Sequence, residues 1–160
     1  MSMLNMFSCA KARYIIAGFI VMIGLVACQK NDGLARISIG DRVMKVDYAR
    51  TTQEKINGLM FVEQMPEDYG MVFTYPAPEI TKYWMKNTLI PLDILFFDEN
   101  AKLIHIERNA TPHDLSPRGP DTPVCVVVEI NGGMADKMGI KKGDVLIAKD
   151  AQECLQSSLN

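Results

Sequence analysis

The sequence has few of the residues with which proteins usually build metal centres and catalytic sites. It contains two histidines, His105 and His113, and four cysteines in 160 residues. No Cys-x-x-Cys, His-Glu-x-x-His, Gly-x-Ser-x-Gly or phosphate-loop motif is present. The sequence therefore predicts no metal site and no cofactor, and it favours a non-enzymatic protein over an enzyme.

Clustered positive charge is also missing. Lysine and arginine together number 17 against 19 acidic residues, and they form no basic block. Proteins that bind nucleic acid need such blocks to neutralise phosphates. We therefore expect no nucleic acid among the partners of this protein.

The N-terminal apolar run, 14–27, is shorter than the roughly 18–20 residues that a permanent membrane span needs. It follows Lys11 and Arg13 and leads directly into Cys28, which is the order of a secretory signal. The run ends in Leu-Val-Ala-Cys, which resembles the lipobox of bacterial lipoproteins. There the cysteine takes a diacylglyceryl group and becomes the mature N-terminus, so Cys28 is the predicted lipidation site.

Residues 1–27 are thus interpreted as a lipoprotein signal peptide, and 28–34 as the lipidated cysteine with a short tether. An ordinary signal peptide with a cysteine near its cleavage site is the alternative. Gln29 stands where an Asp usually retains lipoproteins at the inner membrane. We therefore expect an exported protein anchored by lipid to a membrane, at the periplasmic face of the outer membrane if the host has one.

From residue 35 to 149, short apolar or alternating runs are separated by Gly, Pro, Asn and Asp, a pattern typical of strands joined by turns. The predicted strands are 35–39, 43–48, 71–75, 80–85, 92–98, 103–107, 124–130 and 145–148. Residues 109–123 are predicted to be a long surface loop. The pattern predicts an all-β, compact single-domain barrel or sandwich with two short helices.

The first of those helices is predicted by Thr51 and Glu54, which have the spacing of a capping box, and it should end near Gly58. The second is predicted at 135–138. Residues 150–160 are expected to form a flexible tail.

Two cysteines remain once Cys9 leaves with the signal peptide and Cys28 takes lipid. Cys125 and Cys154 could form a disulfide, because the expected compartment is oxidising. Alternatively, Cys125 is a small buried hydrophobe within its apolar run and Cys154 is free in the polar tail. The contrast between their surroundings favours the second interpretation.

Three segments in order resemble domain-of-unknown-function family 192. They are Gly58 to Phe61, then 70–73 together with 83–94, and then Val128 to Gly133 leading to the glycines at 139 and 143. The central Trp-Met-Lys-Asn-Thr with Pro-Leu-Asp after it is chemically unusual. The resemblance covers about 35–147 and implies a small prokaryotic β-rich domain, often exported, with no assigned reaction.

Strand alternation predicts where the polar side chains of this region lie. In 124–131 it puts Glu129 on one face with Cys125, Val127 and Asn131. A carboxylate on so apolar a strand must be paired, hydrogen-bonded or protonated, because burying it bare costs several kcal/mol. We predict a polar site on these strands, with the candidate ligand-binding residues Trp84, Lys86, Asn87, Asp93, Glu129 and Asn131.

Four interpretations of this site remain open. Stacking on Trp84 beside a polar floor would suit a sugar-like small molecule, or an envelope partner. In a purely structural interpretation Lys86 pairs with an acid and Trp84 is core. In a hydrolase of cell-wall or polysaccharide material, Asp93 and Glu129 would act as acid and base. The last is PDZ-like peptide binding, because Gly133 to Leu146 resembles the helix-turn-strand of PDZ domains.

Overall fold

The computed structural model describes residues 35–149 and 152–155. The predicted signal peptide, Cys28 and the tether lie outside the described residues. Within them the strands are β1 Ala35–Ile39, β2 Arg42–Ala49, β3 Tyr69–Glu79, β4 Leu92–Phe97, β5 Leu103–Ala110, β6 Val124–Asn131 and β7 Leu146–Ile147. The helices are α1 Thr52–Asn57, α2 Met134–Lys137 and α3 Gln152–Leu155. No helix in this part of the chain is both long and apolar enough to cross a membrane.

The strands form one sheet in the order β5-β4-β6-β3-β2-β1-β7. Neighbours are antiparallel except for β2 and β3, which are parallel and are connected through α1. At the far ends, Lys102 bridges Val145, and the Leu103 amide donates to the Asp144 carbonyl at 2.9 Å. The sheet therefore curls towards closure, and the predicted mainly-β fold with short helices is confirmed.

The capping box that was predicted for the first helix is present. The Glu54 amide donates to the Thr51 hydroxyl at 3.1 Å, and the Thr51 amide donates to the Glu54 carboxylate at 2.7 Å. The helix ends at Gly58, whose φ of +48° is a conformation that other residues rarely adopt. Local sequence thus fixes both ends of α1.

The strand predicted at 80–85 is wrong. Strand β3 instead continues through Pro76 and Pro78 to Glu79, with a register shift against β6 after Thr74. A bulge tolerates proline because the extra residues are not needed in the ladder. The segment 80–91 then crosses the surface and makes a single β-bridge, from Tyr83 to Arg118.

Each face of the sheet carries its own apolar cluster. Val72, Leu95 and Val128 belong to the first, and Phe73, Ile94 and Val127 to the second. The alternation predicted along β6 holds from Val126 to Ile130. The alternation fails at the start of β6, where the Cys125 side chain lies in the first cluster. The cause is the irregular pairing of β6 with β3 between Thr74 and Glu79, which changes the face from which this side chain projects.

That shift brings Cys125 to Cys154, and the two form a disulfide across 29 residues of sequence. Both are buried in the first cluster. The interpretation of one buried and one free cysteine is therefore wrong. A flexible tail was predicted for 150–160, but residues 152–155 form a helical turn. The disulfide and the burial of Cys154 hold this turn against the sheet.

Candidate functional site

A cavity of about 270 Å³ opens on the second face of the sheet. Its walls are α1 and the residues after it, the middle of β3, and part of the 80–91 segment. Pockets for drug-sized ligands have roughly 300–1,000 Å³, so this cavity suits a smaller molecule. The polar and aromatic side chains that line it include Lys55, Tyr75, Thr81, Lys82, Tyr83, Trp84, Lys86 and Glu129.

Glu129 forms the base of the cavity. Its residue is 5% exposed, and its Oε2 atom has no hydrogen-bond partner among the described residues. Burial raises the pKa of this carboxyl to about 8, since the charged form loses its hydration. At neutral pH Glu129 is therefore mostly a neutral acid with a proton to donate.

Gly58, at the end of α1, lies beside this carboxyl. A Cβ atom at Gly58 would lie 3.7 Å from Glu129 Oε2 and 3.5 Å from the Phe73 ring. These are ordinary van der Waals distances, so it is the positive φ of +48° that favours glycine where the chain turns beside the acid. The turn at Gly58 thus belongs to the construction of the cavity.

Three hydroxyl groups stand beside the acid. The Tyr75 and Tyr83 hydroxyls are 2.8 Å apart, and Thr81 Oγ1 lies 3.3 Å from the Tyr75 hydroxyl. Burial is the main cause that raises the pKa of Tyr83 well above its usual value, and the nearby Tyr75 and Glu129 add to the effect. Both phenols therefore stay neutral and serve as hydrogen-bonding groups.

Three lysines line the same cavity. Lys55 donates to the Thr74 carbonyl and lies over the Tyr75 ring. Lys82 donates to two carbonyls of the 119–120 turn and forms an ion pair with Asp121 at 2.8 Å. Lys86 lies with its Nζ 5.2 Å from the centre of the Trp84 ring and pairs with no carboxylate of the described residues.

Trp84 stands at the mouth of the cavity and is 49% exposed. It also lines a neighbouring groove that includes Leu115 and Pro117. A half-exposed indole offers a flat apolar surface on which a sugar ring can stack. Lys86 adds a positive charge beside that surface.

The structure brings three of the six predicted ligand-binding residues to the cavity: Trp84, Lys86 and Glu129. The predicted convergence of Asn87 and Asp93 on them is wrong. Asn87 takes a positive φ of 54°, and its carbonyl accepts from the Phe61 amide at 2.9 Å. It therefore supports the turn beside the cavity without lining it.

Asp93 is fully buried and accepts hydrogen bonds from three backbone amides, those of Asn109, Gly133 and Ala135, at 2.7, 3.0 and 2.7 Å. Gly133 is the N-cap residue of α2 and has no side chain that could accept from the first amides of the helix. The Asp93 carboxylate accepts there instead. In the antiparallel ladder Asp93 pairs with Ile130, whereas Glu129 pairs with Ile94. The two acids therefore project from opposite faces, and the predicted acid-base pair of a hydrolase does not exist.

Asn131 also lies outside the cavity. Its side-chain amide donates to the carbonyls of Met65 and Pro66 at 2.9 and 3.0 Å. These bonds fix the turn that leads into β3, so the role of Asn131 is to hold backbone in place. Its predicted membership of the ligand site finds no support in this geometry.

The segment that resembles a PDZ helix-turn-strand offers no open strand edge among the residues described. Strand β7 pairs with β1, and on its other side Val145 bridges Lys102 while the Leu146 amide donates to the Ala101 carbonyl at 2.9 Å. Peptide capture by strand addition requires unpaired backbone groups. The likeness is therefore confined to the local turn.

Sequence reasoning missed several lining residues, among them Lys55, Tyr75 and Tyr83. Their contribution depends on the parallel pairing of β2 with β3, which places α1 over β3. A local signal was available in Gly58, because a glycine at the end of a predicted helix marks a sharp turn of the chain. In the part of the chain that the structure describes, no cluster of three or more His, Cys, Asp or Glu could hold a metal ion.

Comparison with known proteins gives a family and no activity. A protein of unknown function from Novosphingobium aromaticivorans DSM 12444 is 35% identical, with a TM-score of 0.69 over 74% of this chain and 89% of that chain. A putative transcription regulator from Sinorhizobium meliloti 1021 is 31% identical, with a TM-score of 0.69 over 71% and 92%. No curated protein matches significantly. The sequence profile of DUF192, Uncharacterized ACR, matches residues 35–148, and the chain therefore belongs to that family.

Proposed function

We propose that this protein binds a small polar, sugar-like ligand in the cavity whose base is Glu129, without catalysis. One observation carries the proposal: Glu129 lines the cavity, and its buried Oε2 atom has no hydrogen-bond partner among the described residues. Leaving a buried polar atom unpaired costs about 1–3 kcal/mol. A ligand that supplies the missing hydrogen bond recovers that free energy.

The rest of the cavity fits such a ligand. The hydroxyls of Thr81, Tyr75 and Tyr83 match a molecule rich in hydroxyl groups, and Trp84 offers a stacking surface. A volume of about 270 Å³ favours a monosaccharide-sized molecule over a peptide. Among the described residues, one acid lines the cavity, and Asp93 lies on the other face, which favours binding over hydrolysis.

Calorimetry and thermal shift with a panel of neutral, acidic and amino monosaccharides would test the proposal on the purified protein. We expect at least one class to bind, and Trp84→Ala to weaken that binding at least tenfold while the protein stays folded. Val43→Ala is the matched control, because Val43 is 63% exposed and does not line the cavity. Absence of binding across the panel would refute the proposal.

We also propose that the domain works outside the cytoplasm, tethered by lipid on Cys28. The support is the Leu-Val-Ala-Cys motif after a cationic and apolar leader, and the 28–34 tether would hold the domain near the membrane surface. Mass spectrometry of the mature protein should find an acylated N-terminal cysteine, and Cys28→Ser should abolish it. A mature N-terminus without acylation would refute this placement.

A further inference from the structure

We infer that the ligand of the Glu129 cavity carries a carboxylate, so that it is a sugar acid rather than a neutral or amino sugar. The inference rests on the proposed function and names its ligand class. Of the residues that the structure describes, three cations and one acid line the cavity. A ligand that brings negative charge complements this wall, whereas a cationic ligand would meet repulsion.

Lys86 is the cation best placed to receive the carboxylate. Lys55 is held by the Thr74 carbonyl, and Lys82 is matched by Asp121. Lys86 lies against the Trp84 ring and pairs with no carboxylate of the described residues. A sugar ring stacked at Trp84 would therefore have an unmatched ammonium within reach of its carboxylate.

Glu129 supports the same choice from the base of the cavity. The titratable groups that line the cavity with it come from each wall: Lys55 on α1, Tyr75 on β3, and Lys82, Tyr83 and Lys86 on the 80–91 segment. Outside the lining, the charge of Glu79 at the end of β3 acts on the two phenols. Desolvation dominates over all of these and keeps the carboxyl protonated at neutral pH. A neutral acid donates a hydrogen bond to an oxygen of an anionic ligand, whereas an ionised Glu129 would repel it.

The inference predicts binding that weakens with increasing pH. As Glu129 ionises, its donated hydrogen bond is lost and a negative charge appears beside the ligand. The pKa of Glu129 is about 8, so most of this change falls between pH 6.5 and pH 9.

Calorimetric titration of the full chain with D-glucuronate, D-glucose and D-glucosamine tests the inference. Glucuronate has a carboxylate where glucose has a hydroxymethyl group, so a comparison of their affinities measures the effect of the negative charge. We expect glucuronate to bind at least tenfold more tightly than glucose at pH 6.5, and to bind about tenfold more weakly at pH 9 than at pH 6.5.

Equal binding of glucose, or tighter binding of glucosamine, would overturn the inference and leave the proposed function standing. No binding of any of the three sugars would overturn the inference, whereas the proposed function fails only if the whole panel fails.

Two variants assign the effect to its residues. Lys86→Met should reduce the affinity for glucuronate about tenfold more than that for glucose, whereas Lys142→Met, an exposed lysine outside the cavity, should change neither. Glu129→Gln keeps the shape and a donor but cannot ionise, so it should bind glucuronate equally at pH 6.5 and pH 9. A pH dependence that persists in Glu129→Gln would show that Glu129 is not the group responsible.

Discussion

Asp93 lies beside Ile130 in the ladder between β4 and β6, so it is one position from Glu129 and yet projects from the opposite face of the sheet. Asp93 is satisfied by three backbone amides, while one oxygen of Glu129 is satisfied by none of the described residues. Two buried carboxyls on adjacent strands thus have different tasks. One organises backbone, and the other faces a cavity.

The buried carboxyl of Glu129 should make the protein less stable as pH rises. Its pKa is raised by burial from 4.5 to about 8, so the folded state keeps a proton that the unfolded state releases. Its contribution to stability is fully present below pH 4.5 and is lost progressively up to about pH 8, by an amount on the order of a few kcal/mol. Urea unfolding at several pH values would measure the loss.

Glu129→Gln is the matched variant for that experiment, because glutamine resembles the protonated acid in shape. The difference in unfolding free energy between the variant and the native protein should increase in favour of the variant from pH 5 to pH 8. A difference that stays constant over this range would contradict the prediction.

Removal of the Asp93 side chain should destabilise the fold strongly. Asp93→Ala leaves the amides of Asn109, Gly133 and Ala135 without their acceptor. Unpaired buried donors cost about 1–3 kcal/mol each, so we expect a loss of roughly 3 kcal/mol or more in urea unfolding. Asp121→Ala is the control, since the Asp121 side chain is 97% exposed, and an equal loss in both variants would contradict the assigned role.

The disulfide should stabilise the folded protein by constraining the unfolded chain. Cys125 and Cys154 are separated by 29 residues, for which loop-closure entropy suggests about 3–4 kcal/mol. The double variant Cys125→Ala with Cys154→Ala should therefore have a lower thermal midpoint than the oxidised protein. Reduction of the native protein should lower the midpoint similarly, and equal midpoints with and without reductant would contradict the prediction.

The cap of α1 should affect both stability and the cavity. Thr51→Ala removes the acceptor for the Glu54 amide and should cost about 1 kcal/mol. Because Lys55 and Gly58 follow on the same short helix and line the cavity, ligand affinity should fall as well. Thr52→Ala, one residue further on, serves as control in unfolding and binding measurements. Unchanged affinity in Thr51→Ala would separate the helix from ligand binding.

Features that depend on neighbouring residues could be predicted from the sequence. The Thr51 and Glu54 capping box and the first two strands, predicted at 35–39 and 43–48, were among them, because their sequence patterns are local. Glu129 was predicted as a buried acid from alternation alone. The alternation pattern of a strand shows which residues share a face, and this is the strongest signal that a single strand provides.

Features that depend on which strands are neighbours could not be predicted. Strand β6 lies between β3 and β4, and its register with β4, which pairs Asp93 with Ile130, determines that Asp93 and Glu129 face opposite ways. The bulge after Thr74 determines the facing of Cys125 and thereby its disulfide. Nothing local to Asp93 or Cys125 records these distant pairings, so both were assigned incorrectly.

The position of Trp84 gives the protein an internal optical reporter. It is the single tryptophan of the sequence, it is half-exposed at the mouth of the cavity, and the Lys86 ammonium lies over its ring. When the native protein is excited at the red edge of the indole absorption band, its fluorescence therefore comes from Trp84. A molecule that enters the cavity must change the hydration of that ring or the position of that charge, so occupancy is readable as a change in fluorescence without any label.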